Sequence, residues 1–369
     1  MESFIKRASE RACVNLEDKK PLYSANIKII GTGGAGNNTV HRLMKIGIRG
    51  AKCLAINTDQ QHLDAVDSHE KILIGKNLTR GLGAGGDPTI GKSAAEESRK
   101  ELTRSLRDAD LVFIACGEGG GTGTGSAPVI AEIAKLEGAI VVSVVTLPFH
   151  TEKGRTEKAM KGISILRQYV DTLIVINNNK LLEIAPNLPL LEAFSVADEV
   201  LATIVKGITE TISLPSLINL DFADVRTVLS TGGVAIVGVG ESNSTENRVE
   251  DAINDALNSP LLDLDIQGAT GALIHISGGP DMTLAEANRV AERISERMDT
   301  HNSLVIWGAR VDDDLEGYIR VMLLMTGIKS PQISGNGFTA RPQILDNKIP
   351  KARPTLSDAM FNINEISSN

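Results

Sequence analysis

Three glycine-rich segments and one pair of carboxylates are the residues of this sequence best placed to do chemistry. Gly31-Thr-Gly33-Gly-Ala-Gly36 spells GxGxxG, and Gly86-Asp-Pro-Thr-Ile-Gly91-Lys-Ser93 spells GxxxxGK[ST]. Gly119-Gly-Gly-Thr-Gly-Thr-Gly125 holds five glycines in seven residues. Glycine lets successive backbone amides converge without Cβ interference, and a helix opening behind such a loop favours an anion there. Alone, the first loop suits a dinucleotide, with Asp59 where a ribose acid would stand about 20 residues on. The second match has poor context, because no strand leads directly into it and Pro88 removes an amide donor. Helix-start chemistry is the plainer account of Lys92-Ser93. The third loop is the sharpest, since it follows a strand, opens a helix and adds the hydroxyls of Thr122 and Thr124. Asp221 and Asp224, with Asn219 just before them, would share one face if a helix starts there. They are either catalytic carboxylates or a helix cap with its dipole partner.

The elements that must position these residues alternate. Strands are expected at 27–30, 51–56, 71–74, 111–115, 139–145 and 172–176. Helices are expected at 37–46, 93–106, 126–136 and 156–168. Such alternation implies a mostly parallel, doubly wound α/β sheet, and the unbroken apolar run Leu111–Ala115 fits a strand covered on both faces. A long helix spans 191–213, with Leu191, Phe194, Leu201, Ile204, Val205, Ile208 and Ile212 at three-to-four spacing, until Leu214-Pro215 stops it. Beyond it, strands at 233–240, 271–277, 303–309 and 318–326 with helices at 245–257 and 283–298 indicate a smaller α+β domain. Thr283-Leu-Ala-Glu286 reads as a capping box. The domain expectation is an arm over 1–25, a nucleotide-binding domain over 26–190, the central helix over 191–213, the α+β domain over 214–329 and a flexible tail over 330–369.

Composition narrows the function classes. The 369 residues are 42% apolar and 23% charged, with net charge −8, which suits a globular protein of about two domains. The acidic balance without a basic stripe argues against nucleic acid as a partner. No apolar run approaches the roughly 20 residues of a membrane span. The start, Met1-Glu-Ser-Phe-Ile-Lys-Arg, lacks the apolar core of a signal peptide. Cys13, Cys53 and Cys116 form no CxxC pair and the His residues show no ligand spacing. The expectation is a reducing, cytoplasmic setting and no structural metal.

The first and third loops as cradles, together with the Gly81-Leu-Gly-Ala-Gly-Gly-Asp-Pro88 loop, exceed what a dinucleotide needs and suit a triphosphate in one crevice. At this point the chain resembles the tubulin/FtsZ family, and within it the archaeal-type cell-division members. The resemblance rests on GGGTGTG at 119–125 together with Gly33-Gly-Ala-Gly-Asn-Asn38, Ala55-Ile-Asn-Thr-Asp59, Arg80-Gly-Leu-Gly-Ala-Gly-Gly-Asp-Pro88, Thr146-Leu-Pro-Phe149 and Asn219-Leu-Asp-Phe-Ala-Asp224, in family order over about residues 26–328. It implies a GTPase in which Gly33, Gly34, Ala35, Gly36 and Asn37 wrap the α and β phosphates. Ala84, Gly85 and Gly86 approach the γ-phosphate, and Gly121, Thr122 and Gly123 form the main cradle. Glu152 bonds the ribose with Arg155 beside it, although the Pro148-Phe-His-Thr-Glu152-Lys-Gly-Arg155 segment is one residue shorter than the family's pattern. Asn178, Phe194 and Asp198 form the guanine pocket, with Asn177 where the family usually has Pro.

The resemblance also implies that GTP is cleaved to GDP with Mg²⁺ at a junction between two copies. From Asp198 to Ser213 a helix runs roughly 22 Å, so Asp221, Asp224 and Asn219 are expected to reach a neighbour's phosphates in a head-to-tail filament. The implied setting is a division ring at mid-cell. A tail segment, Leu356–Ile366, is the candidate for an adaptor or membrane-tethering partner. The rival readings are a non-hydrolysing GTP-binding scaffold, a tubulin-like cell-shape regulator and, more remotely, an NAD-dependent oxidoreductase.

Overall fold

β-Branched and apolar runs set between glycine turns build a ten-stranded sheet, seen in a computed structural model that describes residues 25–180, 190–213, 218, 220–230, 233–244, 247–259, 269–298 and 303–328. Within helix 190–213 the side chains of 190, 191, 193, 194 and 197 are outside that description. The strands are β1 (Ile27–Thr32), β2 (Ala51–Asn57), β3 (Glu70–Leu73), β4 (Leu111–Gly117), β5 (Ile140–Leu147), β6 (Thr172–Asn177), β7 (Gly233–Ser242), β8 (Gly271–Gly278), β9 (Leu304–Val311) and β10 (Ile319–Ile328). Their order is β3-β2-β1-β4-β5-β6-β7-β10-β8-β9. Pairing is parallel from β3 through β7, antiparallel for β7–β10 and β10–β8, and parallel again for β8–β9.

The helices are α1 (Gly33–Ile46), α2 (Gln60–Ala65), α3 (Lys76–Thr79), α4 (Pro88–Glu97), α5 (Arg99–Leu106), α6 (Thr122–Leu136), α7 (Lys153–Leu166), α8 (Leu190–Ser213), α9 (Phe222–Ser230), α10 (Arg248–Leu257) and α11 (Leu284–Arg297). Period-2 alternation splits the core between the sheet's faces. Ile27, Ile29, Leu111 and Phe113 pack with Leu43 of α1, Val205 and Ile208 of α8 and Val228 of α9. Ile30, Val112 and Ile114 pack on the other face with Ala94, Leu102, Ile130 and Ile163. A third cluster joins Ile253 and Ile294 to β8 and β10 through Ile274, Ile276 and Leu323. No helix among the described residues is long and apolar enough to cross a membrane.

The differences from the expected elements are instructive. Helix α1 begins at Gly33 and α6 at Thr122, so both helices start inside the glycine runs. The helix expected over 93–106 is two, broken at Ser98 (φ −94°, ψ 11°), whose N–H still bonds the Ala94 carbonyl. Its first half opens at an Asp87 cap with Pro88 in the first turn. Gly91 lies mid-helix against the Gly121 backbone, so the GxxxxGK[ST] match is helix-start and packing chemistry. Asp59, the would-be ribose acid, caps α2 by accepting from the His62 N–H at 3.1 Å. The short helices α2 and α3 fall where no periodicity pointed to them. The Thr283–Glu286 capping box is present as expected.

The α8 helix is tied to both halves of the sheet. Near its start Glu199 pairs with Arg42 of α1. Near its end Glu210 accepts from Arg310 of β9 at 2.7 Å, and the Thr211 hydroxyl sits 2.6 Å from the His275 ring on β8.

Candidate functional site

Strand order reverses at β1, which lies between β2 and β4. The loops after β1 and β4 therefore diverge at the carboxyl edge and leave a crevice between them. A cleft of about 350 Å³ occupies this position. Its lining includes Gly33, Gly34 and Ala35 from the first loop, Gly121, Thr122 and Gly123 from the third, and Glu152, Arg155, Asn178 and Asp198. Side chains scattered over more than 160 positions of sequence thus share one wall.

Glycine is required where the two loops touch. Gly33 has φ +72°, and a Cβ there would lie 2.7 Å from the Gly123 nitrogen. On the other side, a Cβ at Gly121 would lie 2.8 Å from the Asp87 nitrogen and 3.0 Å from the Ala84 Cβ. The loop containing Ala84, Gly85 and Gly86 is thereby seated behind Gly121, although none of the three lines the cleft. Hydroxyl pairs stitch the edges together. Thr58 meets Thr122 at 2.7 Å and Thr32 meets Ser126 at 2.6 Å. Lys158 of α7 donates to the Gly86 carbonyl at 2.8 Å.

Two residues of the first loop are placed differently from the expectation. Gly36 is buried, and a Cβ on it would overlap the Ala115 carbonyl of β4, so it serves close helix–strand packing. Asn37 is fully buried in α1. Neither lines the cleft, because the helix has already begun and turns them inward; the neighbouring Asn38 lines it instead. Arg155 and Glu152 form an ion pair at 2.6 Å, both on the cleft wall. Asn178 presents a buried Oδ1 with no hydrogen-bond partner among the described residues. An orphaned acceptor of that kind costs about 1–3 kcal/mol unless a ligand or water satisfies it. Phe194 lies on α8, but its side chain is outside the described residues, as is Asn219.

The acids divide by environment. Burial pushes Asp198 up to about 6, with Arg42 opposing the rise. Burial pushes Glu118 up to about 7, against hydrogen bonds from Thr124 and Cys116. Asp221 and Asp224 are exposed and do not line the cleft. Asp221 Oδ1 accepts from the Ala223 N–H at 3.1 Å, and its carbonyl accepts from the N–H groups of Asp224 and Val225. Asp221 therefore caps α9, and Asp224 stands in the first turn. Sequence reasoning passed over Glu118, Asn38, Thr32 and Thr146, all on the cleft wall. Only Glu118 left a sequence trace, as a lone acid between an apolar strand and the glycine run.

A parallel sheet with glycine loops and helix starts gathered at its carboxyl edge defines a nucleotide-binding α/β protein, and the orphaned Asn178 and buried Asp198 beside the phosphate loops fit a purine nucleotide. Residues 26–186 match the model for the tubulin/FtsZ family GTPase domain, and residues 233–329 match that for the FtsZ family C-terminal domain. The cell division protein FtsZ 2 of Methanocaldococcus jannaschii is 54% identical over 350 residues, 94% of this chain and 91% of that protein. The cell division protein FtsZ 2 of Haloferax volcanii is 51% identical over 91% of this chain and 85% of its own length. A solved FtsZ dimer from M. jannaschii superposes with a TM-score of 0.81 at 54% identity, covering 88% of this chain and 92% of that one. At 23% identity, a CetZ2 protofilament subunit from H. volcanii shares the fold with a TM-score of 0.68. This chain belongs to the tubulin/FtsZ family. It is a guanine-nucleotide-binding GTPase with the FtsZ type of C-terminal domain.

Proposed function

We propose that this protein is a cell-division GTPase that assembles head to tail and cleaves GTP at each junction with carboxylates from the next subunit. One observation carries this reading: Asp221 and Asp224 are exposed at the start of α9 and absent from the cleft wall. The acids that do line the cleft are otherwise engaged. Glu152 is held by Arg155, and Glu118 and Asp198 are largely buried. A heterologous contact that seats the α9 end of one copy on the cleft of another does not close, and so propagates a filament. The relatives named for cell division and the solved dimer support the same scheme.

The following residue roles belong to this reading. The Gly33–Ala35 and Gly121–Gly123 amides cradle the α and β phosphates. The loop at Ala84, Gly85 and Gly86, braced by Lys158, stands next to the γ-phosphate. Glu152 and Arg155 hold the ribose edge. Asn178 and Asp198 read guanine, which offers the paired N1–H and amine donors that adenine lacks, and Phe194 stacks on the ring. Gly36 and Asn37 support the loop from the core side. The neighbour's Asp221 and Asp224, with Asn219 two positions before Asp221 in support, orient and polarise the attacking water. Mg²⁺, arriving with the nucleotide, would supply charge neutralisation at the phosphates. Among the described residues no cluster of three ligating side chains would hold the ion by itself. The Leu356–Ile366 segment, outside the described residues, serves as an adaptor-binding peptide that brings filaments to the mid-cell membrane. The same reading divides the chain into an arm over 1–25, a nucleotide-binding domain over 26–190, the central helix over 191–213, an α+β domain over 214–329 and a tail over 330–369.

The test is phosphate release per subunit across a dilution series, with light scattering in parallel. Turnover should rise steeply at the concentration where scattering begins. Full turnover by protein shown to be monomeric would sink the proposal.

A further inference from the structure

Beside the main cradle, on the cleft wall yet almost wholly buried, is a carboxyl that the roles above do not use. Glu118 follows directly on β4, its N–H donating to the Thr146 carbonyl of β5 at 2.9 Å. Its side chain is 4% exposed. The Cys116 thiol stands 3.8 Å from Oε1, and Thr124 of α6 also hydrogen-bonds the carboxyl. Oε2 has no hydrogen-bond partner among the described residues. It occupies a slot that exists because residue 162 is glycine; a Cβ there would overlap it. Thr124 Oγ1 meanwhile accepts from the Gly119 N–H at 2.8 Å. With that lone pair used, the hydroxyl proton is free to point at Glu118. The carboxyl thus fixes Thr124, and Thr124 fixes the first residue of the phosphate loop.

We propose that Glu118 is a positioning residue that couples nucleotide binding to proton uptake: the loop closes on phosphate with Glu118 in its neutral form. This rests on Gly119–Gly125 being the phosphate cradle. Phosphate charge arriving in the cleft whose wall Glu118 shares disfavours a second, buried anion there. Among the described residues, no charged side chain bonds the Glu118 carboxyl. Cys116 is itself pushed upward by burial. Thr124 and Gly162 do not titrate. Of the charged residues of α7, Arg155 is engaged by Glu152, Lys158 by the Gly86 carbonyl and Lys161 by Glu157. Burial already holds the carboxyl half-protonated near neutrality, so a modest further push takes up a sizeable fraction of a proton.

The experiment is GDP titration by calorimetry at pH 7.5 in two buffers of different ionisation enthalpy, with affinities followed from pH 6.5 to 8.5. Glu118→Gln keeps the acceptor for Thr124 but cannot titrate. Wild type should take up protons on binding and lose affinity several-fold as pH rises, and the variant should show a smaller uptake and a flatter profile. Infrared difference spectra of wild type, bound minus free, should gain a protonated-carboxyl band. Equal uptake in both proteins, or no gain of that band, overturns the proposal. Absence of GDP binding by wild type would instead overturn the cradle reading itself.

Discussion

The cleft and the start of α9 both carry acids, and they are built in opposite ways. In the cleft, Glu118 and Asp198 sit in low-dielectric surroundings that push both carboxyls upward, and the anion-binding work falls to backbone amides. At α9, Asp221 and Asp224 are open to solvent, held by one cap bond and a helix start. A site that must hold a polyanion cannot keep several exposed carboxylates in the same crevice, because like charges at close range repel strongly where the dielectric is low. In the proposed scheme the acids that activate water stand on a different surface, so the molecule binds nucleotide alone and gathers its full reactive set only when a second copy arrives.

The sharpest way to break that contrast is to exchange the functions of the two regions by mutation. Asp221→Ala should lower GTP turnover by roughly 10²–10⁴-fold, while nucleotide affinity in a filter or fluorescence assay stays within a few-fold of wild type. Mixing it with Asp198→Ala, whose own cleft is damaged but whose α9 face is whole, should restore turnover that neither variant has alone. A mixture no more active than its parts would place the acids in cis.

Gly33→Ala addresses the cleft side. Its Cβ would meet the Gly123 nitrogen at 2.7 Å in a backbone conformation with φ +72°, so the two loops must part. Nucleotide affinity should fall by about 100-fold, equivalent to roughly 3 kcal/mol, with far-UV circular dichroism preserved. Wild-type affinity would show that the loops do not need this contact.

A smaller effect should appear with acid. The proposed guanine recognition uses Asp198 as a carboxylate, and its value stands at about 6 instead of 3.8. GTP affinity should therefore be unaffected by Asp198 above pH 7 and fall about tenfold per unit below pH 6, a slope that Asp198→Asn should abolish. An unchanged slope in that variant would remove Asp198 from the base pocket.

The smallest effect concerns the far end of α8. His275 is buried between Thr211 and Ser277, and burial, aided by Arg310 and Arg320, lowers it to about 4. An unfolded histidine takes up its proton near 6.5. The unfolded chain therefore binds more protons than the native one between those values, and stability should be full above pH 6.5 and decline by up to about 3 kcal/mol as pH falls to 4. Denaturant melts of His275→Gln should show a shallower decline.

Much of this was legible in the chain itself. Hydrophobic periodicity and glycine punctuation announced the parallel sheet, the long helix and the two cradles, because those patterns arise from local backbone geometry. The Thr283–Glu286 box was readable for the same reason. The break at Ser98 was not, since Ser98 lies in the middle of a continuous amphipathic run. Its signal is tertiary: α4 must begin at Pro88 and press Gly91 against Gly121, which leaves α5 to follow a different line. Likewise Asn37 and Asn38 are chemically identical neighbours, and only the helical phase set by an early start at Gly33 turns one into the core and the other to the cleft.

Residue type and spacing alone determined that this protein cradles phosphates and carries two acids at a helix start, because glycine loops and caps depend on a few adjacent residues. Tertiary structure decided which acids share a wall with the nucleotide and which face outward. Burial and distance belong to the packed sheet and its order, in which residues from Gly33 to Asp198 meet at one edge.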